Sequence, residues 1–248
     1  MPNPITRLGL GPRERTPRER PPARSPAKPE AELEAAVAWM CPPDTTSDPV
    51  AWDGYWGDER TWELAAFNDA FSHDEALVAA LRAHGLATVL CVGNGGSQEP
   101  RALAWAGFQV TALDLSPLAT EVARHLEPPP EHLARLVGAR AARPGGSATF
   151  VAGDLMDPAV CPGPYDVVLE RRTLQLFAEA ERAAAVRAVA DRLAARGVFV
   201  SHTHDGRWRP EREPWHATAP WFEAEGWPPW RGEHPLSGRA VWLVTTTG

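Results

Sequence analysis

The sequence predicts a doubly wound α/β domain organised around a mainly parallel sheet. Two observations carry that expectation: from Ala87 onward short apolar runs alternate with helix-like segments, and a glycine-rich turn follows the first of those runs. Apolar runs rich in β-branched residues suit strands buried on both faces, and repeated β-then-helix units imply right-handed crossovers.

Residues 1–30 are rich in Pro and Arg with almost nothing apolar to bury, so they read as a disordered tail. The remainder, 31–248, reads as one domain whose opening part, 31–85, is an aromatic cap segment. Ala31 to Met40 has helical character and Pro42-Pro43-Asp44 stops it. Trp52, Tyr55, Trp56, Trp62, Phe67 and Phe71 follow, then a helix from Asp74 to His84 closed by Gly85.

The alternation begins with a strand over Ala87 to Val92, the turn Gly93 to Ser97, and a helix over Glu99 to Gly107. A second strand covers Gln109 to Leu115, and Pro117 opens the next helix at its preferred first position. Pro128-Pro129-Pro130 interrupts, Glu131 to Val137 is a short helix, and Ala148 to Gly153 is a third strand. A fourth strand spans Tyr165 to Glu170. The Ala-rich segment Leu174 to Ala195 reads as a long helix and Gly197 to His202 as the fifth strand. Ala240 to Thr247 is a terminal strand, with a short partner expected near Trp230, making an antiparallel hairpin at the sheet edge.

Composition narrows the function. Hydrophobic residues make up 44% and charged residues 23% of the chain, enough for a sizeable core. No run is long enough to span a membrane and no secretory pattern opens the chain, so a cytoplasmic protein is expected. Cys41, Cys91 and Cys161 lack the paired spacings of zinc or disulfide frameworks. The net charge of -7 is carried by the body, because the tail is basic; an acidic body disfavours nucleic acid as substrate.

The motif evidence starts where the first strand runs into Gly93-Asn94-Gly95-Gly96-Ser97. In a parallel sheet a ligand sits against the carboxyl ends of the strands, and glycine lets it approach the backbone. Asp114 lies about twenty positions on, at the end of the second strand, where an acidic side chain can accept from both ribose hydroxyls. Asp114 also reads as a helix-start residue, but Ser116 can serve as the cap and leave it free. A pyrophosphate fingerprint wants Gly or Ala where this chain has Gln98, which counts against a nicotinamide-dependent oxidoreductase.

The segment VLCVGNGGSQEPRALAWAGFQVTALDLSP resembles the glycine motif, helix and ribose-binding acidic strand of class I S-adenosylmethionine-dependent methyltransferases. FVAGDL and YDVVLERRTLQLF continue the resemblance through the third and fourth strands. It implies a Rossmann-like methyltransferase fold with a seven-strand sheet, helices on both faces and an antiparallel C-terminal strand. It also implies S-adenosyl-L-methionine as cofactor, with Gly93, Asn94 and Gly95 at its methionine end, Asp114 and Leu115 at the ribose, Asp154 and Leu155 at the adenine, and Glu170 at the methyl-transfer site. The chain departs from the family at Cys91, where an acidic residue is usual, and at Ser97, where a third glycine is usual. A non-catalytic cofactor-binding protein is therefore the alternative. Glu170-Arg171 and the Trp-rich opening are similar to thiopurine methyltransferase-like members.

On the substrate side, the expected catalytic residues are Glu170 and Arg171 from the fourth strand and His202 and His204 after the fifth. Imidazole titrates near neutrality and suits a general base where the nucleophile must lose a proton. His202-Thr203-His204-Asp205 also admits a metal reading, but no third ligand cluster stands elsewhere, so no metal is expected. Eleven tryptophans are many for this length, and Tyr55, Trp56 and Trp208 are the expected pocket aromatics. The expected partner is a small-molecule substrate, without nucleic acid or membrane; the oligomeric state is left open.

Overall fold

TVLCV at Thr88–Val92 forms β1 and is buried from its second residue on, which an apolar run can satisfy only between two covered faces. This computed structural model describes residues 48–57, 61, 75–171, 173–202, 221–223 and 241–246. The chain divides into Met1–Asp44 and Thr45–Gly248, and every element below belongs to the second unit. The expected tail, the helix at Ala31 to Met40, and Trp62, Phe67, Phe71, Arg172, His204 and Trp208 lie outside the described residues.

β1 pairs in parallel with β2 (Gln109–Asp114) on one side and with β4 (Tyr165–Arg171) on the other. β3 (Ser147–Ala152) extends the sheet beyond β2, and β5 (Leu193–His202) extends it beyond β4, both in parallel. β7 (Val241–Thr246) runs antiparallel between β5 and β6 (Trp221–Glu223). The order is β3-β2-β1-β4-β5-β7-β6, so the chain reverses its direction of travel across the sheet between β1 and β4. Ligands of open α/β sheets bind at the carboxyl ends of the strands at such a reversal.

The described helices are α1 (Pro49–Trp56), α2 (Glu75–Ala83), α3 (Glu99–Trp105), α4 (Pro117–His125), α5 (Pro130–Val137) and α6 (Glu179–Ala190). Strand alternation sorts the core into two layers. Val89 and Cys91 join one cluster with Leu81, Leu103 and Val167, while Leu90 and Val92 join the other with Val168, Val186 and Phe199. Each face of the sheet thus carries its own apolar layer, the doubly wound arrangement expected from sequence.

One boundary differs from expectation. The expected helix at Leu174 to Ala195 is a 3₁₀ turn at Leu174–Leu176 followed by α6, and β5 begins already at Leu193. Arg192 ends it: its buried guanidinium donates to the carbonyls of Ala188, Asp157, Val160 and Cys161, turning the chain back along β4 in a way that Ala-rich composition does not reveal. The strand expected near Trp230 lies outside the described residues; the partner of β7 among them is Trp221–Glu223.

Leu90 is fully buried at the centre of β1 and belongs to the second layer. Leu90→Ala is expected to lower unfolding free energy by about 2–5 kcal/mol, read as a reduced denaturant midpoint with an unchanged slope.

Candidate cofactor site

The turn after β1 hangs on the end of β2. The N–H groups of Gly93 and Asn94 both donate to the Leu113 carbonyl, at 2.8 and 3.2 Å. Gly93 and Gly95 adopt φ of +63° and +53°, the left-handed region that L side chains avoid. A Cβ on Gly93 would lie 2.0 Å from Thr173 Oγ1, and one on Gly95 would lie 2.2 Å from Trp56 Cζ2. The sequence argument reserved the bare backbone for a ligand; in the structure the chain's own Thr173 and Trp56 also press on these two positions.

Asp114 closes the turn from below. Its Oδ2 accepts the Gly95 N–H at 2.6 Å, and its Oδ1 accepts the Ser116 N–H at 2.9 Å. Ser116 caps α4, its hydroxyl oxygen accepting the Ala119 N–H at 3.0 Å, so Asp114 is not spent as that cap. Burial pushes the Asp114 carboxyl up to about 6; the two N–H groups pull it down and nearby Asp53 pushes it up. The side chain faces the glycine turn, and among the described residues each of its oxygens takes one protein hydrogen bond, which leaves lone pairs for further donors.

The other residues expected at the cofactor stand along the same edge. Asn94 is half-buried and its amide donates to the Gly95 carbonyl at 2.9 Å; Leu115, also half-buried, follows Asp114. Asp154 is exposed just past β3 and accepts the Met156 N–H at 2.8 Å, while Leu155 is buried in the second layer. Register puts Leu113 opposite both Val92 and Val151, so the ends of β1, β2 and β3 are level. Tyr55 is half-buried, edge-on to Trp52 and Trp56 at centroid distances of 5.7 and 5.4 Å.

Across the reversal, Glu170 pairs with Val92, which brings the end of β4 beside the turn. Its carboxylate is wholly buried and points into the protein. Oε2 accepts the N–H groups of Thr173 and Leu174 at 2.9 and 3.2 Å, and Oε1 accepts the Ser201 hydroxyl. Burial raises its pKa, against the pull of those donors and of Arg171. Glu170 therefore shapes the turn that brings Thr173 onto Gly93. Arg171 donates through Nε to Glu99 Oε1 at 2.6 Å, with Nη2 on the same oxygen, linking the start of α3 to the end of β4. His202 ends β5 opposite Arg171 and Val241; its side chain, like all of His204, lies outside the described residues.

The departures from the family have local explanations. Cys91 is buried in the first apolar layer, and Ser97 accepts the Glu99 N–H at 3.1 Å as α3 begins. Sequence reasoning missed Asp53, Glu99, Thr173 and Ser201. Glu99 had a legible signal, an acid in the first turn of a helix followed by Pro; the others are recruited by contacts between distant segments. Among the described residues no group of three His, Cys, Asp or Glu side chains could hold a metal ion, and no helix is long and apolar enough to cross a membrane.

An adenosyl group fits this edge chemically: Asp114 offers carboxylate lone pairs beside the glycine turn, and Asp154 offers a second acceptor past β3. Residues 90–201 match the methyltransferase-domain family. The sheet order is that of a class I methyltransferase fold, and this segment, a little under half of the chain, is similar to a methyltransferase domain. Among solved structures the chain is similar to a TehB-like S-adenosylmethionine-dependent methyltransferase from Corynebacterium glutamicum. Identity there is 20%, over 81% of this chain and 100% of that one, with a TM-score of 0.52. It is also similar to the magnesium protoporphyrin IX methyltransferase of Synechocystis, with 17% identity over 90% and 100% of the two chains and a TM-score of 0.51. A third structure, described by conversion of a disulfide bond into a thioacetal group during echinomycin biosynthesis, shares 26% identity over 52% of this chain, with a TM-score of 0.40; there the match spans 48% of that chain. At these identities the first two likenesses establish the fold. No curated protein matches the sequence.

Two outcomes follow from the buried carboxylates. The folded pKa of Asp114, about 6, lies above its unfolded value, so its contribution to stability is greatest in acid and is lost as pH rises through about 6. Were Asp114 an acceptor for the cofactor, affinity would run the opposite way, falling by up to about tenfold per pH unit below that value as the carboxylate is protonated. Calorimetric titration between pH 5 and 8, with Asp114→Asn abolishing the pH dependence, checks it. Glu170→Gln preserves an acceptor for the two N–H groups and a donor for Ser201, and is expected to be nearly neutral in stability. Glu170→Ala should cost about 1–3 kcal/mol by thermal unfolding, because it orphans buried donors.

Proposed function

We propose that this chain transfers the methyl group of S-adenosyl-L-methionine to an O, N or S nucleophile of a small molecule, by in-line displacement. The observation that carries the reading is the Asp114 carboxylate held against the Gly95 N–H at the carboxyl end of β2, next to the chain reversal. Gly93, Asn94 and Gly95 would hold the methionine end, Asp114 and Leu115 the ribose, Asp154 and Leu155 the adenine, with Tyr55 in the aromatic wall. The bound cofactor supplies an electrophilic methyl carbon.

The chain's own contribution is mainly positional. Acceleration of a direct displacement comes chiefly from holding the nucleophile in line, so a rigid acceptor border is the principal requirement. Glu170 keeps Thr173 on Gly93, and the Glu99–Arg171 pair keeps the end of β4 against α3. Both ties stiffen the turn on which the donor would rest. His202 and His204 are the proposed bases for an acceptor that must lose a proton, and Arg171 borders the acceptor space. The acidic body and the eleven tryptophans favour a planar or apolar small molecule over a polyanion. No nucleic acid, membrane or metal enters the proposal.

Incubation with methyl-labelled S-adenosylmethionine and a panel of small phenols, amines and thiols should give labelled product and S-adenosylhomocysteine by mass spectrometry. His202→Ala and His204→Ala should lower kcat at least tenfold for hydroxyl acceptors and less for thiolates. Tight binding of donor and product without turnover on any acceptor would replace this reading with a cofactor-binding protein.

A further inference from the structure

Helix α1 lies ahead of the matched methyltransferase segment, yet it touches the glycine turn. We propose that Asp53 is a positioning residue for the cofactor: its carboxylate ties α1 to the start of α4 and thereby seats the Trp56 indole on Gly95. The inference rests on the assignment of the glycine turn and Asp114 to the cofactor.

The contacts form a closed circuit. Asp53 Oδ1 accepts the Ser116 hydroxyl at 2.5 Å and the Leu118 N–H at 3.1 Å. The Ser116 N–H donates to Asp114 Oδ1, and the other oxygen of Asp114 takes the Gly95 N–H. The face of Gly95 that a Cβ would occupy is filled by Trp56, and Trp56 is three residues from Asp53 in the same helix. Residues three apart on a helix share a face, so the carboxylate that anchors and the ring that covers point the same way. Asp53, Ser116, Asp114, Gly95 and Trp56 thus join α1 to the site in one connected loop.

An anchor is needed because α1 has only eight residues, too few to hold its own place in water. Asp48 caps the helix through the Val50 N–H, a bond within α1 itself. Asp53 meets α4 at its N-terminus, where unpaired N–H groups and the helix dipole favour a negative charge. Ser116 is thus held by two carboxylates, Asp53 at the hydroxyl and Asp114 at the amide. That arrangement sets both the acceptor proposed for the sugar and the aromatic wall beside the turn from one residue. Asp53 touches neither donor nor acceptor in this scheme, so its effect must reach the cofactor through Trp56 and Asp114.

The test uses the full-length protein and calorimetric titration with S-adenosylmethionine and S-adenosylhomocysteine. Asp53→Ala is expected to weaken donor affinity about tenfold, the factor associated with a lost charge-assisted hydrogen bond. KM for the donor should rise with it while kcat changes less than threefold. Trp56→Ala should weaken affinity similarly, and the Asp53→Ala/Trp56→Ala double variant should be no worse than the poorer single variant, because both remove one wall. Asp53→Asn, which retains an acceptor oxygen and the side-chain volume, should recover most of the loss and serves if the alanine variant does not fold. Wild-type affinity in both Asp53 variants, or fully additive losses in the double variant, would overturn the proposal. Asp114→Asn separates the two levels. If it binds the donor like wild type, the assignment of the site falls; if it loses binding while the Asp53 variants keep theirs, only the role of Asp53 falls.

Discussion

The site depends on one carboxylate placed between two backbone amides. Asp114 reaches from the end of β2 to the Gly95 N–H on one side and to the Ser116 N–H on the other, so the turn after β1 and the start of α4 share a single acceptor. The turn has no hydrogen-bond ladder to define its shape, and the first N–H groups of α4 have no partner within the helix. Their common tie to a half-buried carboxylate fixes one against the other, and desolvation raises the proton affinity of that side chain as a consequence.

A second carboxylate, this one wholly buried, plays a parallel part across the reversal of the sheet. Glu170 gathers Thr173, Leu174 and Ser201 around itself, and Thr173 in turn donates to the Val92 carbonyl at 3.0 Å and rests on Gly93. The glycine turn is consequently gripped from the β2 side by Asp114 and from the β4 side by Glu170. A turn fixed in this way meets a ligand without reorganising, which is what catalysis by positioning asks of its scaffold.

The sequence made much of this legible. Val89 to Val92 and Val167 to Leu169 are apolar because each strand serves two apolar layers, and that requirement writes itself into continuous runs. Gly93, Gly95 and Asp114 were readable because a tight turn and an acidic strand end recur at a characteristic spacing. Less was legible at Glu170, which the family likeness placed at the methyl-transfer site and which the structure turns inward to three protein donors. The direction of a side chain at a strand end depends on the turn that follows, and no local pattern announces it.

By itself, then, the sequence determined the alternation of strands and helices, the place of the glycine turn and the acid that answers it, since these follow from burial and backbone conformation within a few residues. Tertiary structure alone decided that Arg192 would cut the Ala-rich helix short, that Glu99 would meet Arg171, and that Asp53 would reach Ser116. Those contacts join residues 4, 72 and 63 positions apart. The shortest still depended on carbonyls near Asp157 and Val160 delivered by another segment. Pairings of that kind are chosen by the packed sheet, which brings strand ends and helix starts together regardless of their distance along the chain.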